Sequence, residues 1–416
     1  MVFDRDRCSK LLEKSKIDVL LTTSRKNFEY FTDFSLHIPG SIYEFEYGDF
    51  PNLYFVAVPM EKMVEPFSVC CGGNDTEMTF EDSPIKDRRF YPWPRGALFS
   101  KATRYSRDPY EAILKAMTER GLENSRIGLE ASYESMTTGI PPQEVFDRLR
   151  KALPKAKFTC GSRIIRQLRI IKSEKEIARM KRAAQVAENA INAAFESAHI
   201  GIKELELEKV IVNMIVDEAV MDKYESLRFL WSHINFYPSK FKLTGGLHVN
   251  VPTENKLERG DVIRVDLGCS YKLYLSDMCR TFCLEKPDSR VEKYYEASLD
   301  AHMAVANEAR AGVKCSELYN IFYRSIKDKT GMEPTNPYYA GHGLGITVHE
   351  APYLTEDDQT LLEPGMTITN ETTLFVKGLG SFSVEDEMVV TKNGYDPITT
   401  LTNELNYQTC KVKPFL

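Results

Sequence analysis

The sequence predicts an α+β protein: a smaller α/β domain at the N-terminal end, then a larger domain in which long helices alternate with antiparallel hairpins. Three observations carry this. Short apolar strands alternate with helical patterns in the first part of the chain, a capped helix start stands at Ser173, and paired strand signals fill the second part.

Residues 5–16 carry a helical pattern, 17–22 form a short, largely apolar strand, and 53–58 form another. Between Phe28 and Phe55 aromatics are dense (Tyr30, Phe31, Phe34, Tyr43, Phe45, Tyr47, Phe50), with His37 and Pro39 in a loop-like stretch. Core and loop packing is the first reading, because aromatics dominate cores, and a binding surface is the second. Strand 127–130 and helix 142–152 continue the alternation. A basic segment at 161–172 then leads to Ser173, a good N-cap, with Glu176 three residues on completing a capping box. Ile177, Met180, Ala184, Ala187, Ile191 and Phe195 follow at helical spacing. The domain boundary is placed here, giving domains 1–165 and 166–416.

In the second domain, helical patterns at 202–218 and 290–311 are interleaved with strand and hairpin signals at 261–267, 273–284, 366–376 and 382–391. Helices separated by antiparallel hairpins give the α+β class.

A chain of 416 residues buries a core in each domain without a disulfide or structural metal. With 43% hydrophobic and 27% charged residues it has the composition of a globular protein rather than a disordered one. A formal charge of −6 without a basic run provides no footprint for a polyanion, so nucleic acid is not an expected partner. The early charges at Asp4, Arg5, Asp6 and Arg7 do not suit a signal peptide, and no segment reaches the ~20 apolar residues of a membrane span. A cytoplasmic protein is expected. Its nine cysteines are odd in number and form no CxxC pair, and they read as reduced thiols.

Asp266 ends the apolar run Val262-Ile263-Arg264-Val265, and Asp277 follows eleven residues later, beyond a turn with Tyr271 and Lys272. Two carboxylates on one hairpin can face each other across the ladder and invite a cation, although Asp at strand ends also serves turns. Gly341-His342-Gly343-Leu344-Gly345 precedes His349-Glu350, and its glycines would let backbone approach a ligand. A phosphate cradle is set aside because neither GK[ST] nor GxGxxG is present, and Tyr353 stands where HExxH requires its second His. Glu371 and Glu385 lie in strand-like, apolar-flanked stretches where a salt bridge would explain each one singly. Taken together, four carboxylates and one imidazole make a hard, oxygen-rich set suited to Mn²⁺ more than to structural zinc. So many carboxylates imply two ions, roughly 3.5 to 4 Å apart.

At these motifs the sequence resembles the pita-bread metallopeptidase superfamily, in its creatinase and prolidase branch. The matching residues are Val265-Asp266-Leu267-Gly268, Ser276-Asp277 with Arg280-Thr281, Gly341-His342-Gly343-Leu344-Gly345 with His349-Glu350-Ala351-Pro352, Pro364-Gly365-Met366 five residues before Glu371, and Val384-Glu385-Asp386. The first part resembles that branch's creatinase-type N-terminal domain. The resemblance implies that Asp266, Asp277, His342, Glu371 and Glu385 hold two divalent ions, with Asp266 and Glu385 bridging. Mn²⁺ leads, with Co²⁺, Zn²⁺ or Fe²⁺ as alternatives. It further implies hydrolysis of a carbon-nitrogen bond, with Glu371 as proton shuttle and His248 and His349 beside the developing oxyanion and the leaving nitrogen.

The leading activity implied is that of an Xaa-Pro dipeptidase or aminopeptidase, acting on a peptide or small amide. Related peptidases carry Arg two residues before the last glutamate, where this chain has Ser383, and Pro after the fourth ligand, where it has Thr372. An ectoine hydrolase-like amide or amidine hydrolase is therefore the alternative. A sulfoniopropionate lyase and a noncatalytic pita-bread binding protein stand behind it. The resemblance also suggests a homodimer whose lid lies in the aromatic stretch 37–50. His37, His199, His233 and His302 match no motif and are read as ordinary residues.

Overall fold

The computed structural model describes residues 2–34, 54–71, 83–91, 106, 108–135, 142–221, 227–237, 251–334, 339–401, 403 and 406–407. They divide into two compact units, Met1–Arg169 and Ile170–Leu416.

The first unit is built on a six-stranded mixed sheet: β1 (Val19–Thr22), β2 (Phe55–Pro59), β3 (Phe67–Cys71), β4 (Asp87–Tyr91), β5 (Arg126–Leu129) and β6 (Lys157–Cys160). The order is β4-β3-β2-β1-β5-β6. β1 pairs parallel with β5 and antiparallel with β2. It is buried along its whole length, which is why it reads as a continuous apolar run rather than an alternating one. Helices α1 (Arg5–Lys14), α2 (Arg25–Thr32), α3 (Pro109–Thr118), α4 (Gln143–Ala152) and α5 (Ser162–Ile170) accompany it. α3, which the periodicity did not single out, starts where Asp108 caps the Tyr110 N–H and Pro109 stands in the first turn. Ile113 and Leu149 pack with Val19, Leu21, Phe55 and Ile127 in one core.

The second unit holds a ten-stranded sheet whose main path is β12 (Glu350–Tyr353), β11 (His342–Gly343), β13 (Thr367–Val376), β14 (Gly380–Val390), β10 (Met278–Cys283), β8 (Val262–Tyr271) and β7 (Leu227–Tyr237). β9 (Tyr274–Leu275), β15 (Tyr395–Pro397) and β16 (Asn406–Tyr407) are attached to β8, β14 and β10. Helices α6 (Glu174–Ser197) and α7 (Glu204–Met221) pack on β8 and β7, and α8 (Ser289–Glu308) packs on β13, β14 and α9 (Cys315–Thr330). α6 begins as the capping box predicts: Ser173 Oγ accepts from the Glu176 N–H at 3.3 Å, and Glu176 Oε2 accepts from the Ser173 N–H at 2.7 Å. The expected strand at 273–284 is interrupted, because Lys272 and Leu273 both take positive φ to close the β8–β9 turn and the chain passes through Ser276 and Asp277 before β10 starts.

Alternation along β8 decides which face does what. Ile263, Val265, Leu267 and Cys269 join the core cluster with α6 and α7. Arg264, Asp266 and Gly268 therefore point to the opposite face. Every sequence-predicted carboxylate described below belongs to that second face or its rim.

Candidate metal centre

Five directly opposed residues run across five strands: His233 on β7, Asp266 on β8, Cys279 on β10, Glu385 on β14 and Glu371 on β13. Opposed residues share a face, so this register alone gathers three of the five predicted ligands. Asp277 stands two residues before Cys279, and its N–H donates to Glu387 Oε1 at 2.8 Å. Asp266 and Asp277 are thus diagonal neighbours rather than opposite each other, since Asp266 is opposed by Cys279.

His342 enters from β11, next to β13, with its N–H donating to Thr369 Oγ1 at 3.2 Å. Its Nδ1 lies 3.1 Å from the Gly343 carbonyl oxygen. A carbonyl only accepts, so the ring proton sits on Nδ1 and Nε2 presents its lone pair. That Nε2 is buried without a hydrogen-bond partner and lies 3.6 Å from Asp277 Oδ2. The glycines around His342 serve backbone packing more directly than ligand approach: a Cβ at Gly341 would lie 2.1 Å from the Thr369 oxygen, and one at Gly343 2.3 Å from the Ala351 oxygen.

Candidate donor atoms come together in three overlapping groups, each within 4.8 Å: Asp266, Asp277 and Glu385; His342, Glu371 and Glu385; and Asp277, His342 and His349. All but His349 are buried. Crowding of like charges out of water shows in their titration. Burial, then Asp266 and Glu371, raises the Asp277 carboxyl well above its usual range; burial, then Asp277, does the same to Glu385. Glu371 is pushed up to about 7 by burial and then by Asp266. Burial pushes His342 down to about 3, so its imidazole is neutral. Carboxylates that resist ionising together, a lone-pair nitrogen without a donor and an unpartnered Glu385 Oε1 are the donor set that divalent cations satisfy.

A cavity of about 200 Å³ opens over this face, lined by Asp266, Asp277, Glu371 and Glu385 with Trp231, His233, Tyr339, Val348 and His349. His349 stacks edge-on against His342, ring centroids 4.2 Å apart. His233, read from sequence as ordinary, is corrected here: β7 sets it opposite Asp266 and in the cavity wall. Trp231 and Tyr339 were also missed. The Trp231 ring covers Gly268, where any Cβ would lie 2.1 Å from it, and its Nε1 donates to Asp266 Oδ1 at 3.3 Å. Tyr339 lines the same cavity as Glu371, and its hydroxyl is among the groups that lower the Glu371 carboxyl. Neither had a motif to signal it. His302 instead pairs with Asp386 at 3.0 Å, and His199 faces the Ser197 carbonyl. His248, His37 and the stretch 37–50 lie outside the described residues.

Arg280, part of the predicted motif, braces the centre from below. Its Nη1 donates to the Glu385 carbonyl at 2.7 Å, and its Nη2 pairs with Asp386. Lys172 Nζ pairs with Glu350 Oε1 at 2.8 Å, both fully buried, next to the His349 segment.

Fold and site together define a metal-dependent hydrolase with a pita-bread catalytic domain. The chain belongs to the metallopeptidase family M24, whose model matches residues 178–392, and the creatinase/prolidase N-terminal domain matches residues 5–171. It is 31% identical to an Xaa-Pro dipeptidase of Pyrococcus horikoshii over 280 residues, 67% of this chain and 74% of that one. Among solved structures it resembles the prolidase from Pyrococcus horikoshii, with a TM-score of 0.71, 25% identity, and coverage of 97% of this chain and 99% of that one. The X-Pro aminopeptidase from Thermotoga maritima shares the fold at a TM-score of 0.73 and 19% identity, over 96% and 99% of the two chains. The protein is a metal-dependent peptidase, and its family implies divalent metal ions. No helix among the described residues is long and apolar enough to cross a membrane.

Proposed function

We propose that this peptidase removes a residue preceding proline, as an Xaa-Pro dipeptidase or aminopeptidase, using two divalent ions held by Asp266, Asp277, His342, Glu371 and Glu385 with Asp266 and Glu385 shared. The observation that carries the proposal is the pair of buried, unpartnered donor atoms, His342 Nε2 and Glu385 Oε1, inside a carboxylate cluster that resists ionisation. The oxygen-rich set favours Mn²⁺ over Co²⁺, Zn²⁺ or Fe²⁺. When bound, the ions lower the pKa of water toward neutrality and polarise the substrate carbonyl.

The chain's own groups supply the rest. Glu371, whose carboxyl burial and then Asp266 raise in the metal-free centre, is by its motif the group that would carry a proton from water to the leaving nitrogen. Tyr339 stands beside that carboxyl in the cavity lining. His349, exposed on the cavity, can donate to the substrate's carbonyl oxygen. By its motif, His248 is assigned to the same chemistry. Trp231 and His233 form the wall that meets the substrate.

A small-molecule amide hydrolase is the second reading, and Ser383 favours it: buried and hydrogen-bonded to Thr373 Oγ1 at 2.7 Å, it cannot clasp a dipeptide's carboxylate. The working form is proposed to be a cytoplasmic homodimer. The test is to purify the chain, measure bound metal, and assay it with Mn²⁺ on Xaa-Pro dipeptides, longer Xaa-Pro peptides and ectoine. Hydrolysis of an Xaa-Pro bond is expected, and its absence on every such substrate would sink the proposal. Asp277→Ala and His342→Ala should each lose metal and about a thousandfold in kcat/KM, several kcal/mol of transition-state stabilisation.

A further inference from the structure

Arg264 lies two residues before Asp266 on β8 and shares its face of the sheet, and its side chain is fully buried. Asn235 on β7 and Thr281 on β10 oppose it. Thr281 in turn exchanges two hydrogen bonds with Ser383 on β14: its Oγ1 donates to the Ser383 carbonyl at 3.0 Å and accepts from the Ser383 N–H at 3.1 Å. The row next to the carboxylates is therefore a single guanidinium among small polar side chains.

Arg264 Nη2 donates to Asp266 Oδ2 at 2.7 Å, while Trp231 Nε1 donates to Asp266 Oδ1. Each oxygen of Asp266 thus has its own donor, and the carboxylate is oriented from two sides. The other two guanidinium nitrogens, Nε and Nη1, have no hydrogen-bond partner among the described residues. Stability alone does not account for such a residue, because desolvating a charge is costly and unmatched donors add to the cost. What the position supplies is a permanent positive charge close to Asp266, with Glu371 and Cys279 among its electrostatic neighbours.

We propose that Arg264 is a positioning residue of the metal centre: it fixes Asp266 and delivers from β8 the guanidinium that related peptidases carry at the position of Ser383. The inference rests on the metal-centre reading. Only Thr281 separates the two positions across the sheet, so a side chain from either strand enters the same row.

The test is calorimetric titration of the full chain with Mn²⁺ alone. R264Q is expected to bind Mn²⁺ about tenfold more weakly or worse, whereas R264K, which keeps the charge, stays within about threefold of the parent. Equal affinity in R264Q and the parent chain would overturn the proposal, as would equal losses in R264Q and R264K. The swap R264V/S383R returns a guanidinium from β14 and is expected to recover Mn²⁺ binding. Should R264Q fold poorly, the swap decides: recovered binding supports the proposal, and a swap that is folded by circular dichroism yet does not bind overturns it. A parent chain that binds no Mn²⁺ would instead remove the metal-centre reading, so the two failures are told apart.

Discussion

His233 lies directly across the β7–β8 ladder from Asp266, and both side chains line the cavity. An imidazole there borders the carboxylates on the side a substrate must use. His233→Ala should therefore leave Mn²⁺ content unchanged and raise KM about tenfold with kcat little altered, the worth of one charge-assisted hydrogen bond. Steady-state kinetics with metal analysis checks this; loss of metal in the variant would place His233 in the ligand set instead.

Divalent ions and protons compete for the same carboxylates. Burial, followed by neighbouring carboxylate charge, raises Glu371 to about 7 and moves Asp277 and Glu385 upward as well. A carboxyl raised above its ordinary 4.5 holds extra proton in the folded state, so its contribution to stability is present below that value and is lost as pH rises toward 7. His342, pushed down to about 3, works the other way: its contribution is present above 6.5 and is lost as pH falls. Three carboxyls outweigh one imidazole in the metal-free protein. The gain in Tm on adding Mn²⁺ should accordingly be larger near pH 7.5 than near pH 5.5. Scanning calorimetry at both pH values is the check, and an equal gain at both would contradict it.

Arg280 is buried with Asp386 and with the Glu385 and Leu401 carbonyls as partners. Arg280→Met leaves Asp386 with His302, Thr399 and Asn403 as partners but without its guanidinium, and removes the brace beneath Glu385. A loss of roughly 3 kcal/mol is expected, because removing one partner of a buried ion pair is strongly destabilising even where neutral donors to the other remain. Urea unfolding of the metal-free chain would show it; a midpoint near that of the parent would mean that the strands hold Glu385 without this brace.

Much of the architecture was legible because its signals are local. The capping box at Ser173 needs only four residues, and both of its hydrogen bonds form. β8 was legible because Val262, Ile263, Val265 and Leu267 concentrate apolar residues within it. β7 was not, because Trp231, His233 and Asn235 on its site face alternate with Ser232, which bonds Glu208 on the helix side, so no clean period survives. The diagonal placement of Asp266 and Asp277 escaped for a related reason: two positive-φ residues between β8 and β9, and two residues outside any strand between β9 and β10, set the register, and hairpin length alone does not reveal it.

By itself, the sequence determined the residue types, their order and the spacing within each strand, and hence the chemistry of the centre: four carboxylates and one imidazole. Tertiary structure decided which of them meet. Asp266, Glu385 and Glu371 come from three separate strands and share a row only through the pairing of β8, β10, β14 and β13. His233, Trp231 and Arg264 acquire their roles from that same lateral register. Cross-strand neighbours are set by long-range hydrogen bonding between segments far apart in the chain, which no local pattern encodes.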